Sequence, residues 1–348
     1  MYAPNYTISD ALLGTIAEIE SYRSCIATSY ILPVREVGLR YRATVEATHS
    51  STSIEGNPLT IKQVELALSN QSSKPVTRHQ YAEREVRNYK KALDFVDKRK
   101  NRTEPITTTD ILQIHAYVMD GLLPAEKTGA FRKNDIYITG EEDSVAYVGP
   151  SAKRLQKEVS SLLAWLESAG NIHPVIASAI FHFHFVSIHP FADGNGRVTR
   201  ILTALYLGLR DYDFRGALVL DSYYAVERLD YYRALSIANN YEGRKTAQLD
   251  SWLDYFAGGF LTSAKTLSLE IELLSNVVQP QKATRLNQDE ADLLSYAKQF
   301  KVITLLEAEG ILPHLSRRTI QRKLKKLADE GFLLTKEKGR ATRYEWAE

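Results

Sequence analysis

The sequence is short of the features that mark several protein classes. Cysteine occurs once, at Cys25, so no internal disulfide can form. That fits a reducing compartment, with Cys25 serving as a small apolar residue. No stretch reaches the roughly 18 uninterrupted apolar residues of a membrane span. The opening MYAPNYTISDALLG has neither the basic region nor the apolar run of a secretory leader. Excess charge is missing too: 44 Lys and Arg face 42 Asp and Glu, a net charge of +2. So close a balance removes any whole-chain electrostatic case for nucleic acid, and a basic surface has to be local. Internal repeats and low-complexity tracts are also lacking. What remains is ordinary globular material. The 348 residues, 44% hydrophobic and 25% charged, suffice for two or three domains with their own cores. The expectation is a soluble, cytoplasmic protein with no membrane partner.

Most of the chain reads helical, with apolar residues three and four apart. Ser9 and Asp10 can cap a first helix with Leu12, Leu13, Ile16 and Ile19 on its inner face. Helical periodicity continues over 35–50 and again over 79–99, where Val86, Tyr89, Ala92 and Phe95 share a face. Thr107 to Thr109 can cap a helix through Ile111, Ile114 and Val118. The pattern breaks over 129–149. There Ile136 and Ile138 alternate with polar residues before a turn at Gly140, and Val145, Tyr147 and Val148 follow. That is a short β-hairpin in a helical protein. Helices are then expected at about 151–168 and 173–188, and after 196 and 227. Residues 1–100 read as an N-terminal helical region, 101–261 as a core, 262–284 as a linker containing Val278-Gln279-Pro280-Gln281, and 285–348 as a separate domain.

The chemistry concentrates in His189-Pro-Phe191-Ala-Asp193-Gly194-Asn195-Gly196-Arg197-Val-Thr-Arg200. His189 can take up a proton near neutral pH. Asp193 supplies a hard oxygen suited to Mg²⁺. Gly194-Asn195-Gly196 allows close backbone approach at the start of a helix, whose N–H groups and positive end favour an anion. Arg197 and Arg200 lie three apart and can both reach phosphate oxygens. A base, a metal ligand, an anion nest and two arginines describe a nucleotide-phosphate site. Taken singly, each has a plainer reading: Gly-Asn-Gly is a common turn, a His before Pro is often scaffold, and paired arginines can be a solvated face.

Together they resemble the Fic family signature, H-x-F-x-[D/E]-G-N-G-R-x-x-R, at every specified position. The resemblance extends over roughly 30–260. It implies a Fic-type helical core, mainly α, with 129–149 as the hairpin flap that pairs with a target segment as an added strand. It implies transfer of AMP from ATP with Mg²⁺ to a Ser, Thr or Tyr hydroxyl of a protein, the chain itself included. His189 would be the general base and Asp193 the Mg²⁺ ligand. Asn195 and the backbone around Gly194 and Gly196 would stabilise charge on the α-phosphoryl group. Arg197 would help hold the phosphates and Arg200 would bind the γ-phosphate. Phe191 would pack under the loop. Residues 229–239 resemble the family helix beside the adenine, so Tyr231, Tyr232 and Asn239 would contact or close over the base; for the tyrosines, ordinary packing stays open.

Ser51-Thr-Ser-Ile-Glu55-Gly56 resembles the family's inhibitory motif, [S/T]-x-x-x-E-[G/N]. The resemblance implies a glutamate that pairs with Arg200 and denies it to the γ-phosphate. The plainer alternative has Ser51 or Ser53 capping a helix with Glu55 in its first turn.

In the tail, Ser316 can cap a helix with Ile320, Leu324 and Leu327 inside, ending at Gly331. Phe332–Thr335, a Lys-Glu-Lys-Gly turn and Arg343–Trp346 follow, an order that reads as a winged helix. Residues 301–343 hold eleven Lys and Arg against five Asp and Glu, so DNA binding stays open. His182 and His184 lie two apart, face away from each other on a helix, and are assigned packing or surface roles without a metal. A homodimer is left open, since members of the family self-associate. Two other functions remain: a nucleotide-sensing DNA-binding regulator, or an enzyme of this family that removes AMP or transfers another group.

Overall fold

Ser9 starts the first helix: its hydroxyl accepts the Leu12 N–H at 3.1 Å. The computed structural model describes residues 2–69, 78–139, 145–276, 286–336 and 343–347. In it that helix is α1, Asp10–Thr28. Leu12, Ile16 and Ile19 are buried, whereas Leu13 is exposed. One residue turns a helix by about 100°, enough to carry Leu13 off the apolar stripe. Cys25 is also exposed, contrary to its expected role as a small apolar packing residue.

Next come α2 (Pro33–Ile54), α3 (Ile61–Ser69), α4 (Arg78–Arg99) and α5 (Thr108–Val118). Thr107 and Asp110 close a reciprocal capping box at the start of α5. Strands β1 (Tyr137–Thr139) and β2 (Val145–Val148) pair antiparallel, with an irregularity between Ile138 and Thr139. The expected turn at Gly140 and the side chain of Val145 lie outside the described residues. After the hairpin come α6 (Leu155–Ser168), α7 (Pro174–Ile188), α8 (Asn195–Leu209), α9 (Asp221–Val226), α10 (Arg228–Leu235), α11 (Tyr241–Thr246) and α12 (Asp250–Asn276). The chain divides into two compact units, one formed by 1–28 and 40–270, the other by 29–39 and 271–348. The protein is mainly helical, as the apolar spacing implies. No helix among the described residues is long and apolar enough to cross a membrane.

In the first unit α7 is the axis. Every residue from Val175 to Ile188 except Val186 is buried, which explains its nearly continuous apolar run. It packs on α8, α6 and α11, while α4 and α5 pack on α8. His182 and His184 belong to this core and not to the surface. His182 lies between Thr203 Oγ1 at 3.0 Å and Tyr231 Oη at 2.9 Å, and His184 stacks on Tyr2.

Burial pushes both imidazoles down to a pKa of about 3, with nearby Arg200 adding to the effect on His182 and Lys245 to that on His184. Both are neutral when folded, yet free to protonate near pH 6.5 when unfolded. Their contribution to stability is therefore complete above pH 6.5 and is lost as pH falls below it. At pH 5.5 each costs about 1.4 kcal/mol, so this pair alone should lower urea unfolding free energies by about 3 kcal/mol between pH 7.5 and 5.5. A flat profile over that interval would refute the assignment of neutral buried imidazoles.

The second unit contains α13 (Gln288–Phe300), β3 (Val302–Thr304), α14 (Leu305–Ile311), α15 (Arg317–Asp329), β4 (Leu333–Lys336) and β5 (Arg343–Trp346). The strands form one antiparallel sheet in the order β3-β5-β4. Ile320, Leu324 and Leu327 of α15 are fully buried with Leu293, Leu294, Ile303 and Leu333. Ser316 caps α15 through the Thr319 N–H, and Gly331 follows it with φ +81°. The 278–281 stretch of the expected linker and the Glu337-Lys338-Gly339 part of the expected turn lie outside the described residues.

Candidate active site

The loop between α7 and α8 is held open by a brace of its own. The Asn195 side-chain oxygen accepts the Phe191 N–H at 2.9 Å, and its amide donates to the Phe191 carbonyl at 2.9 Å. His189 ends α7 at φ +48°, and Gly194 begins α8 at φ +81°. The second value favours glycine; the first is a strained conformation for histidine, which the surrounding contacts must hold. Phe191 is fully buried under the loop and stacks on His115, ring centroids 3.8 Å apart. His115 is itself pinned. Its Nδ1 accepts the Gly129 N–H at 2.9 Å, leaving Nε2 to donate to the Asp193 carbonyl at 3.1 Å.

Among the described residues the His189 ring makes one such contact, Nδ1 to the Val186 carbonyl at 3.2 Å. Only a protonated Nδ1 can donate there, so Nε2 carries the lone pair. Burial pushes the imidazole down to a pKa of about 4, with Arg132 and Arg244 also lowering it. At neutral pH it is an unprotonated acceptor. The flap root sits directly against it: Arg132 donates to the carbonyls of His189, Asn134 and Pro150, and its backbone N–H to Pro190.

Arg200 is the most enclosed charge of the site. Its Nε donates to Ser51 Oγ at 2.6 Å, and one terminal nitrogen reaches the Ser51 carbonyl at 2.9 Å and Glu55 at 2.8 Å. A second carboxylate, Asp221, lies 3.3 Å from Nε and takes a hydrogen bond from the Tyr89 hydroxyl. The Glu55 side chain keeps 29% of its surface exposed. Burial would raise its pKa, but Arg200 above all holds it below the usual carboxylate range. Glu55 follows the C-terminal end of α2, and Gly56 takes φ +92° to turn the chain. The motif therefore closes a helix; the alternative in which Ser51 or Ser53 caps a helix start does not hold. Asn57 docks the turn by donating to Glu85 and to the Ala82 carbonyl.

A side chain on Gly196 would collide with Glu55 Oε1. The carboxylate thus lies against the first turn of α8, whose N-terminus has no side-chain cap. This is where the backbone of a helix offers N–H groups to an anion.

The other site residues sort differently. Arg197 is buried and ion-paired to Glu85, with Asp193 3.4 Å away. Asp193 itself is largely exposed, its side chain 53% accessible. Among the described residues no group of three His, Cys, Asp or Glu side chains is placed to hold a metal. Mg²⁺ needs only one or two carboxylates when phosphates and water complete its shell. Asp193 fits an ion that arrives with a nucleotide. Tyr231 is 1% exposed, bonded to His182 and stacked on Tyr224, so it packs the core and does not face a base. Tyr232 is 39% exposed, with its hydroxyl 3.5 Å from the Ile54 carbonyl, beside the Glu55 turn. Asn239 is not on a helix, because α10 stops at Leu235. Its carbonyl instead accepts the Val148 N–H and ties the flap down.

Glu85, Asp221 and His115 have no motif signal in the sequence, and Arg132 was read only as part of the 129–149 flap resemblance. They reach the site from other helices and from the flap root, where only the fold can bring them.

Comparison with known proteins places this geometry. Residues 105–207 match the Fic/DOC family. The chain is 27% identical over 249 residues to Protein adenylyltransferase Fic of Drosophila mojavensis, covering 70% of this chain and 44% of that protein. For its Drosophila melanogaster counterpart the values are 26% over 269 residues, 76% and 49%. The chain spans about half the length of these curated relatives. Among solved structures, a Fic family protein from Desulfovibrio desulfuricans superposes with a TM-score of 0.64 at 26% identity, covering 99% of this chain and 98% of that one. A Fic domain containing signaling protein from Bacteroides thetaiotaomicron gives 0.63 at 19% identity over 77% and 100%, a likeness of fold alone.

Proposed function

We propose that this chain, whose residues 105–207 match the Fic/DOC family, is a protein adenylyltransferase held in a restrained state by Glu55. It would move AMP from ATP to a hydroxyl side chain of a protein and release pyrophosphate. The observation that carries the reading is the double engagement of Glu55. One carboxylate pairs with Arg200 and lies against the N-terminal turn of α8. Both are places where a nucleotide phosphate would be expected, so carboxylate and phosphate compete for the same ground.

In the productive state His189 Nε2 takes the proton from the attacking hydroxyl, whose oxygen bonds to the α-phosphorus as the bond to pyrophosphate breaks. The N–H groups at the start of α8 face the charge that develops on the α-phosphoryl oxygens. Asn195 acts by keeping the loop in shape, since Phe191 occupies both ends of its amide. Arg200, released by Glu55, takes the γ-phosphate. Asp193 would hold Mg²⁺, which supplies charge neutralisation along the phosphates when bound. Arg197 stays with Glu85 and fixes α4 to the motif. Tyr232, exposed near the Glu55 turn, is the aromatic placed to meet the base.

The test uses ATP labelled at either the α- or the γ-phosphate, with Mg²⁺ and the Glu55→Gly protein as enzyme and acceptor. Label should enter protein from the α position and not from the γ. Label from the γ position, or none while ATP is bound, would overturn the reading.

A further inference from the structure

We propose that α15 of the second unit is a docking surface for double-stranded DNA. The argument rests on how its basic residues are divided. Lys323 and Lys326 are engaged inside the unit, with Asp289 at 3.1 Å and Glu290 at 3.0 Å on α13. Arg317 pairs with Glu309 at 3.2 Å. These three charges hold the helix in place. Arg318, Arg322 and Lys325 do not join them: all three are exposed and form no ion pair within the described residues.

Their spacing of four and then three puts them in one stripe down the outer face. Over seven residues that stripe is about 10 Å long, close to the width of the DNA major groove of about 12 Å. Gln321 lies exposed within it, a side chain able to meet an adenine edge. The inner face is fully committed, with Ile320, Leu324 and Leu327 buried. The helix therefore presents only polar and charged groups outward, with Asp329 the one anion among its exposed residues.

The same face argues against a protein partner. Stable protein interfaces centre on apolar or aromatic anchors. The exposed residues of α15 are Arg317, Arg318, Gln321, Arg322, Lys325 and Asp329, with no apolar side chain among them. Phosphate contacts need no such anchor and draw on charge alone. The overall balance of +2 makes this a local property of one helix.

The experiment is fluorescence anisotropy of the full chain against a random-sequence duplex of about 30 base pairs, over salt from about 50 to 200 mM. Wild type should bind in the micromolar range at low salt. Replacing Arg318, Arg322 and Lys325 by Ala together should weaken binding at least about tenfold. It should also flatten the slope of log K against log salt by about 2.7, or 0.9 per lost phosphate contact. A matched variant replacing the exposed Lys62, Arg102 and Lys157 of the first unit removes the same charge elsewhere and should bind like wild type. Absence of duplex binding by wild type up to about 100 µM would overturn the proposal. Equal weakening by both triple variants would overturn it too, since net charge would then explain the affinity. The rate of AMP transfer should be the same in all three proteins.

Discussion

Glu55→Gly should raise self-labelling from ATP by roughly 10- to 150-fold. The figure follows from what the mutation removes: a charge-assisted hydrogen bond to Arg200, of a kind contributing about 1.5–3 kcal/mol, which a nucleotide must break before it can use that arginine. The carboxylate also leaves the first turn of α8, where it meets the space above Gly196. Loss of a buried partner normally destabilises the charge left behind. Arg200 escapes that penalty because Asp221 and Ser51 still hold it. The variant should therefore melt close to wild type while its rate climbs. Equal initial rates for the two proteins at ATP well below saturation would eliminate Glu55 as a restraint.

In the Glu55→Gly background, His189→Ala should cut the transfer rate by about 10²- to 10⁴-fold, the range for loss of a positioned general base. The ring is prepared for one task. Val186 fixes the tautomer, and burial keeps Nε2 unprotonated well below neutral pH. None of its contacts is one a phosphate would use, so ATP affinity should change little while the rate collapses. A matched fall in both would point to a binding role instead. His115 is the informative contrast. It is fully buried under the same loop, but both of its nitrogens are taken by Gly129 and Asp193. Its loss should act through loop order and thermal stability.

The geometry of the 189–200 stretch was legible in the sequence because its logic is local. Spacing alone puts His189 at a helix end, the glycines at the next helix start and Arg197 and Arg200 on one face. Helix α15 was readable for the same reason: Ser316, Ile320, Leu324 and Gly331 announce a capped amphipathic helix without help from elsewhere. Roles set by tertiary neighbours were not readable. Nothing near Asn195 indicates that Phe191 takes both ends of its amide. Tyr231 and Tyr232 are adjacent, and only the surrounding helices send one into the core and leave the other outside. Asn239 was placed on a helix by the resemblance of 229–239 to a family segment, yet the chain leaves the helix after Leu235 and ties down the flap. Glu85 lies on the periodic 79–99 helix and Asp221 at the start of α9, neither in a motif, and they matter because two arginines need partners once buried.

Arg132 carries a consequence for substrate choice. One guanidinium fastens the root of the hairpin to the carbonyls of His189 and Pro150, and the backbone of the same residue fastens to Pro190. The His189 loop and the free edge of the hairpin, along which an incoming chain could lie, are thus referenced to a single fixed point. A hydroxyl displaced by one residue along that edge would face the opposite side of the strand. Selectivity would then be a matter of alignment more than of recognised side chains, with tolerance for many sequences and little for a slipped one.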